Sequence, residues 1–256
     1  MIYFASDIHL GGGTPAQAQL AERAFCRWLD MVADDATEIY LLGDIFDFWF
    51  EYLRVVPQGF SRTLGRLATL HDRGVRVVLF SGNHDMWTYD YLTRECGVEI
   101  VRKPEVVRVG GVDLHLAHGD NMNIKGQPML RAMNAFFRSR TARWLFRWLV
   151  HPDVAMKFGL WWSGKSRKSH GGEQITSDRL DYLVEYARNY HAEHTDVCRY
   201  IFGHMHLAHR VTDGDVDVLF LSDWSGDKAT YATLDEDNNL ELKTFDIDET
   251  ISRASR

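Results

Sequence analysis

The sequence predicts a layered α/β fold carrying one helical insertion, and three observations point there. Short apolar runs alternate with segments of helical spacing up to about Val98. Strand-like runs return in the last third of the chain. Between them, from Lys125 to His170, the composition changes: ten Lys or Arg accompany one acid, Asp153. With 256 residues and 45% hydrophobic side chains, the chain can bury a sizeable core. The expected organisation is a single α/β domain over residues 1–256 with a helical insertion at about 125–170.

Ile2–Ala5 reads as a buried strand and Gly11–Gly13 as a turn. Thr14-Pro15 opens a helix with Leu20, Ala24, Phe25, Trp28, Leu29 and Val32 on one face at helical spacing. Glu38–Leu42 is a second strand, Phe60–Arg73 a helix stopped by Gly74, and Val75–Phe80 an unbroken apolar strand of the kind covered on both faces. Val106–Val109, Gly110-Gly111 and Val112–Ala117 form a hairpin. Segments 129–150 and 153–162 read as helices rich in aromatics and arginine, and a further helix runs from about Gln174 to His194. Arg199–Phe202, Val216–Leu221, Ala229–Leu234 and Leu240–Phe245 complete the strands.

The bulk numbers exclude several classes. Cys26, Cys96 and Cys198 are odd in number and far apart, which suits a reducing cytoplasm better than a disulfide framework or a zinc ribbon. The stretch Met1–Asp7 lacks the basic region of a secretory signal, so none is expected. No apolar run approaches the ~20 residues of a membrane span. The net charge of −7 hides a division into a basic segment of +9 and a remainder of −16.

Five strand ends run into metal-binding residue types: Asp7-Ile8-His9, Gly43-Asp44, Gly82-Asn83-His84-Asp85, His118-Gly119-Asp120 and Gly203-His204-Met205-His206. Ligands of open α/β sheets gather outside the carboxyl ends of the strands, so these clusters can converge. Two carboxylates, four histidines and one asparagine, with no thiolate, suit Mn²⁺, Fe²⁺ or Zn²⁺. They are too many for one ion and enough for two if one carboxylate bridges. Such a pair of ions activates water and clamps the oxygens of a phosphoryl displacement.

In this order the clusters resemble the D-x-H, G-D, G-N-H-D, H and G-H-x-H pattern of the calcineurin-like metallophosphoesterases. The resemblance spans Asp7 to His206 and implies a four-layer fold, a β-sandwich flanked by helices, with the insertion as a lid. It implies one metal on Asp7, His9, Asp44 and His206, and another on Asp44, Asn83, His118 and His204, with Asp44 as the bridge. His84 would contact the phosphate and act catalytically, with Asp85 as its orienting partner. The runs Leu42–Trp49, Gly82–Trp87 and Trp161–Arg167 are also similar to the branch containing the UDP-2,3-diacylglucosamine diphosphatases of lipid A synthesis. That similarity implies hydrolysis of a UDP-linked acylated sugar to UMP and the acylated sugar 1-phosphate. It also implies work on the inner face of the cytoplasmic membrane. Another phosphodiester or pyrophosphate is the alternative substrate. His84 stands where some members carry arginine, and the run from Asn121 to Ile124 lacks an acid that some use on the substrate.

The basic segment holds Phe136, Phe137, Trp144, Phe146, Trp148, Phe158, Trp161 and Trp162, including four of the eight tryptophans. Tryptophan and arginine favour the headgroup boundary of an anionic membrane, so the expected lid is both membrane-facing and substrate-binding. Its candidate substrate contacts are Trp162, Ser163, Lys165, Ser166, Arg167 and Lys168, joined by Asn83, His84 and His204 from the strand ends. The positive path is confined to this segment while the body is acidic, so nucleic acid is not an expected partner.

Overall fold

The computed structural model describes residues 1–122, 128–170 and 180–247. Its first elements are β1 (Ile2–Ala5), α1 (Pro15–Val32), β2 (Glu38–Leu41), α2 (Ser61–Asp72), β3 (Arg76–Phe80), α3 (Tyr91–Cys96) and β4 (Glu99–Val101). A hairpin of β5 (Glu105–Val109) and β6 (Val112–Ala117) follows, then α4 (Pro128–Arg138), α5 (Arg140–Leu149), α6 (Pro152–His170) and α7 (Asp181–Glu193). The chain continues through β7 (Arg199–Phe202), β8 (His209–Asp213), β9 (Val216–Phe220), β10 (Lys228–Leu234) and β11 (Leu240–Asp246).

These strands build two sheets, ordered β11-β10-β1-β2-β3-β4 and β5-β6-β7-β9-β8. β1 to β4 run parallel, as do β6, β7 and β9. Alternation along each strand explains the layering. In β1, Ile2 and Phe4 join Tyr40, Val78, Leu116, Ile201 and Leu219 in the core between the sheets. Tyr3 and Ala5 point the other way, onto Phe25, Trp28 and Leu29 of α1. The second sheet repeats this with Tyr200 and Phe202 of β7 against Leu183, Val184 and Ala187 of α7. A strand covered on both faces has no polar alternate, which is why these segments read as continuous apolar runs. The layers are therefore helix, sheet, sheet, helix, the four-layer arrangement that the resemblance implied.

Several local signals act as expected. Thr14 caps α1 in a reciprocal pair with Gln17, and Pro15 sits at the first turn, where its missing N–H costs nothing. Gly110 and Gly111, at φ 58° and 87°, make the hairpin turn. Other segments differ. The expected helix 129–150 is divided in two at Ser139, whose hydroxyl accepts from the Ala142 amide and caps α5. The helix expected at 153–162 extends to His170. The short elements α3, β4 and β8 were not anticipated. The expected helix start at Gln174 lies outside the described residues, as do Asn123 and Ile124.

The three insertion helices are tied to the body at particular points. The Trp87 indole donates to the Phe137 carbonyl at 2.6 Å and the Tyr52 hydroxyl to the Val150 carbonyl at 2.9 Å. Phe146 packs between Phe50 and Trp87 with centroids 4.8 and 4.9 Å away. Arg138 pairs with Asp120 at 2.9 Å, and Arg143 and Arg147 lie over the Tyr89 ring at 5.4 and 5.2 Å. Part of the basic charge thus holds the insertion to the body. Its outer surface is apolar instead: Trp144 is 58% exposed, Trp148 60% and Leu149 77%.

Candidate metal centre

All five ligand clusters leave the carboxyl ends of parallel strands: β1, β2 and β3 in one sheet, β6 and β7 in the other. The sheets pack face to face, so these ends open on one side and the loops meet. Their backbone is unusual. Asp7, His9, Asp44, His204 and His206 have φ between 50° and 67°, the left-handed region that costs a non-glycine residue roughly 1–2 kcal/mol. Asp and His tolerate it better than most, and surrounding hydrogen bonds enforce it. The Asp7 and His9 amides donate to the carbonyls of Gly43 and Asp44, each at 3.0 Å. The His204 amide donates to Asp7 Oδ2 and the His84 amide to Asp44 Oδ1, each at 2.9 Å. Close approach also requires glycine at two positions. A Cβ on Gly82 would overlap the Asp44 carboxylate, and one on Gly203 would lie 2.6 Å from Asp7 Oδ2.

The side chains form two adjoining clusters. In the first, His206 Nε2 is 3.2 Å from Asp7 Oδ1 and 3.3 Å from His9 Nε2. His9 Nε2 is 3.9 Å from both Asp7 Oδ1 and Asp44 Oδ2. In the second, His118 Nε2 lies 3.3 Å from Asp44 Oδ2 and 3.2 Å from Asn83 Oδ1, with the His204 ring centred 5.0 Å from that of His118. Asp44 Oδ2 faces both groups, and its Oδ1 is engaged by the backbone.

This arrangement fits divalent cations. Among the described residues Asp7 Oδ1 is buried without a hydrogen-bond partner, and imidazole nitrogens face one another across a few ångströms. Such convergence of lone pairs is costly unless a cation sits among them. The rings are also presented for it: His118 Nδ1 lies 2.9 Å from the Leu42 carbonyl and His84 Nδ1 2.9 Å from the Asp47 carbonyl. Each carbonyl can only accept, so it fixes the proton on Nδ1 and leaves Nε2 turned to Asp44.

Electrostatics follow from the same geometry. Burial alone would raise Asp7, but His206 and His118 beside it hold the carboxyl at about 2. Asp44, equally buried, is kept well below its ordinary value by His118, His84 and His9. Burial lowers His206, yet Asp7 overrides it and raises the ring to about 9. Burial and the nearby His118 lower His204 to about 4. Two carboxylates ionised in a dry site give the centre its attraction for cations.

Residues 1–208 match the family described as calcineurin-like phosphoesterase. The chain belongs to this family. It is 39% identical to the UDP-2,3-diacylglucosamine hydrolase of Porphyromonas gingivalis, over 87% of this chain and 90% of that protein. It is 27% identical to the protein of the same name from Stutzerimonas stutzeri, over 96% and 99% of the two chains. For that of Neisseria meningitidis serogroup A the figures are 25%, 92% and 94%.

As a phosphoesterase the chain is a hydrolase, and its clustered Asp and His side chains are donors for divalent metal. Asp7, His9, Asp44, Asn83, His84, His118, His204 and His206 are brought together at the strand ends. Asp85 is adjacent but turned inward. It is wholly buried, and its two oxygens accept from the Gly82 and Ile45 amides at 2.7 and 2.8 Å, stitching two ligand loops to each other. Burial and the Asp44 carboxylate push it up to about 7.

Among the insertion residues, Trp162 is exposed and packs at a tilt on Phe137 and Phe158, with ring centroids 6.1 Å away in each case. Ser163 is buried and its hydroxyl donates to Asp47 Oδ1 at 2.6 Å. The side chains of Lys165, Ser166, Arg167 and Lys168 lie outside the described residues. Sequence reasoning passed over Asp47 and Asp223. Asp223 Oδ2 is 3.6 Å from His206 Nδ1. Asp47 carried a usable signal, an acid enclosed by Ile45, Phe46, Phe48, Trp49 and Phe50. A charge has no reason to sit in such a run unless something buried engages it.

Proposed function

We infer that this chain hydrolyses the pyrophosphate bond of UDP-2,3-diacylglucosamine, releasing UMP and 2,3-diacylglucosamine 1-phosphate. One observation carries the reading: a doubled Asp and His centre adjoins an insertion whose outer surface is apolar and aromatic. The first feature suits a pyrophosphate and the second acyl chains. The relatives that bear this activity in their names match over most of their length, which supports it further.

On this reading Asp7, His9, Asp44 and His206 hold one ion, and Asp44, Asn83, His118 and His204 the other. Two divalent cations there would supply an activated water and neutralise charge on the phosphoryl oxygens. The carboxylate, imidazole and amide donors support Mn²⁺, with Fe²⁺ and Zn²⁺ as alternatives. His84 presents Nε2 toward the same centre, 3.8 Å from Asp44 Oδ2, while the Asp47 carbonyl fixes its ring. From there it would donate to the phosphate or to the departing oxygen. Asp85 acts by holding the two loops in register. Asn83, His84 and His204 would meet the phosphate, and Trp162, Ser163, Lys165, Ser166, Arg167 and Lys168 are the insertion residues proposed to contact the substrate.

Among the described residues no helix is long and apolar enough to cross a membrane. The exposed Trp144, Trp148 and Leu149 support a peripheral seat on an anionic surface, which we place on the cytoplasmic side. Nucleic acid has no part in this reading. Incubation of the purified chain with UDP-2,3-diacylglucosamine and Mn²⁺, Fe²⁺ or Zn²⁺ should yield UMP by chromatography. No UMP with any of the three, alongside cleavage of an aryl phosphodiester, would show that another ester is the substrate.

A further inference from the structure

We propose that Asp47 is a positioning residue that couples α6 of the insertion to the metal ligands. The proposal rests on the reading that His9 holds a metal ion. Asp47 belongs to the loop after β2, three residues beyond Asp44, and is 1% exposed. Three contacts converge on it from different parts of the chain. Its carbonyl oxygen lies 2.9 Å from His84 Nδ1 and fixes that ring. Its carboxylate Oδ1 lies 3.5 Å from His9 Nδ1, a buried nitrogen with no hydrogen bond of its own. The same Oδ1 accepts the hydroxyl of Ser163 at 2.6 Å, across 116 residues of sequence.

An imidazole that gives its Nε2 lone pair to a cation carries its proton on Nδ1, and that proton needs an acceptor. Among the described residues, Asp47 Oδ1 is the carboxylate oxygen that faces His9 Nδ1 and can accept that proton. Ser163, itself 1% exposed, holds this carboxylate in place from α6. The neighbouring contact fits the same purpose: Gly159 of α6 is where the Phe48 ring lies, and a Cβ there would overlap it. α6 is therefore seated on the residues flanking Asp47, and its seating is transmitted to His9 through one buried hydrogen bond.

The test is Mn²⁺ titration of the full chain by calorimetry, with thermal melting of the metal-free proteins alongside. Wild type should bind two ions. Asp47→Asn keeps the size and can still accept from Ser163, but removes the charge facing His9. Its Mn²⁺ affinity should fall by about 10–100-fold, with the metal-free melting temperature within a few degrees of wild type. Ser163→Ala, which removes the hydroxyl that donates to Asp47 Oδ1, should lower affinity by a smaller factor in the same direction. Wild-type affinity in a folded Asp47→Asn would overturn the proposal while leaving the metal centre intact. Absence of Mn²⁺ binding by wild type would instead overturn the metal reading beneath it. Should Asp47→Asn fail to fold, unchanged affinity in Ser163→Ala would overturn the coupling.

Discussion

The loops at the strand ends and the helices of the insertion are built on opposite terms. The loops bury their charges, hold five non-glycine residues at positive φ and place glycines where a single methyl would collide with a carboxylate. The insertion does the reverse. It exposes tryptophan and leucine, and uses arginine over Tyr89 and one ion pair to stay attached. Strained, fully bonded backbone suits ligands that must be right within tenths of an ångström. An apolar outer surface suits a partner without fixed shape, such as lipid. Substitutions in the two regions should therefore fail differently.

The largest effect belongs to Asp44→Ala. It removes the only carboxylate facing both histidine clusters among the described residues, so elemental analysis should find both ions lost. Turnover should fall by about a thousandfold or more, since charge stabilisation worth several kcal/mol goes with them. Retention of one ion per chain would show that Asp44 serves a single site. Gly82→Ala comes next. Its methyl would overlap the Asp44 carboxylate and stand 2.6 Å from the Asp44 backbone nitrogen, so metal content and activity should drop together by about a hundredfold. Normal metal content in this variant would mean that the loops yield more readily than their hydrogen bonds suggest.

The Trp144→Ala/Trp148→Ala pair tests the other region. Both side chains are more than half exposed and neither touches the centre, so turnover of a soluble aryl phosphodiester should stay within about twofold of wild type. Sedimentation with phosphatidylglycerol vesicles should weaken by about tenfold, because two aromatic anchors leave the headgroup boundary. Loss of aryl ester turnover would show that the outer surface of the insertion reaches the centre, and the contrast would fail.

The two regions also differed in how far sequence disclosed them. Strands covered on both faces carry no polar alternate, so β1, β3 and β7 were legible as apolar runs, and the ligands were legible because each follows one. The apolar run around Asp47 marked it, but its partners were not legible: Ser163 lies 116 residues away on α6 and His9 follows β1, and only the fold brings the three together. Ser139 was missed for a related reason: aromatic and arginine periodicity runs straight through it, and only its hydroxyl shows that a new helix begins. The turn of Arg143 and Arg147 of α5 onto Tyr89 was not legible, because composition placed arginine and tryptophan together on one outer surface. Residues of both kinds recur at helical spacing, and the body decides which side it takes.

The smallest effects lie within α6, where two glycines five residues apart should respond with opposite signs. Gly159 is buried against Phe48, and a methyl there would displace the ring and unseat the helix, at about 1–3 kcal/mol. Among the described residues Gly164 has nothing within 4 Å of where its Cβ would stand, and it is not at positive φ. Gly164→Ala should therefore stabilise the helix by about 0.5–1 kcal/mol through lost freedom in the unfolded chain, raising the melting temperature by roughly 1–4 °C. Aryl ester turnover should not change. Its decisive readout is the lipid substrate: a stabilised chain with unaltered turnover of UDP-2,3-diacylglucosamine fits an insertion that tolerates change along its open side. A stabilised chain that has lost that turnover alone would mean that α6 meets the substrate there as closely as the strand-end loops meet one another, and the two regions would then share one standard of fit.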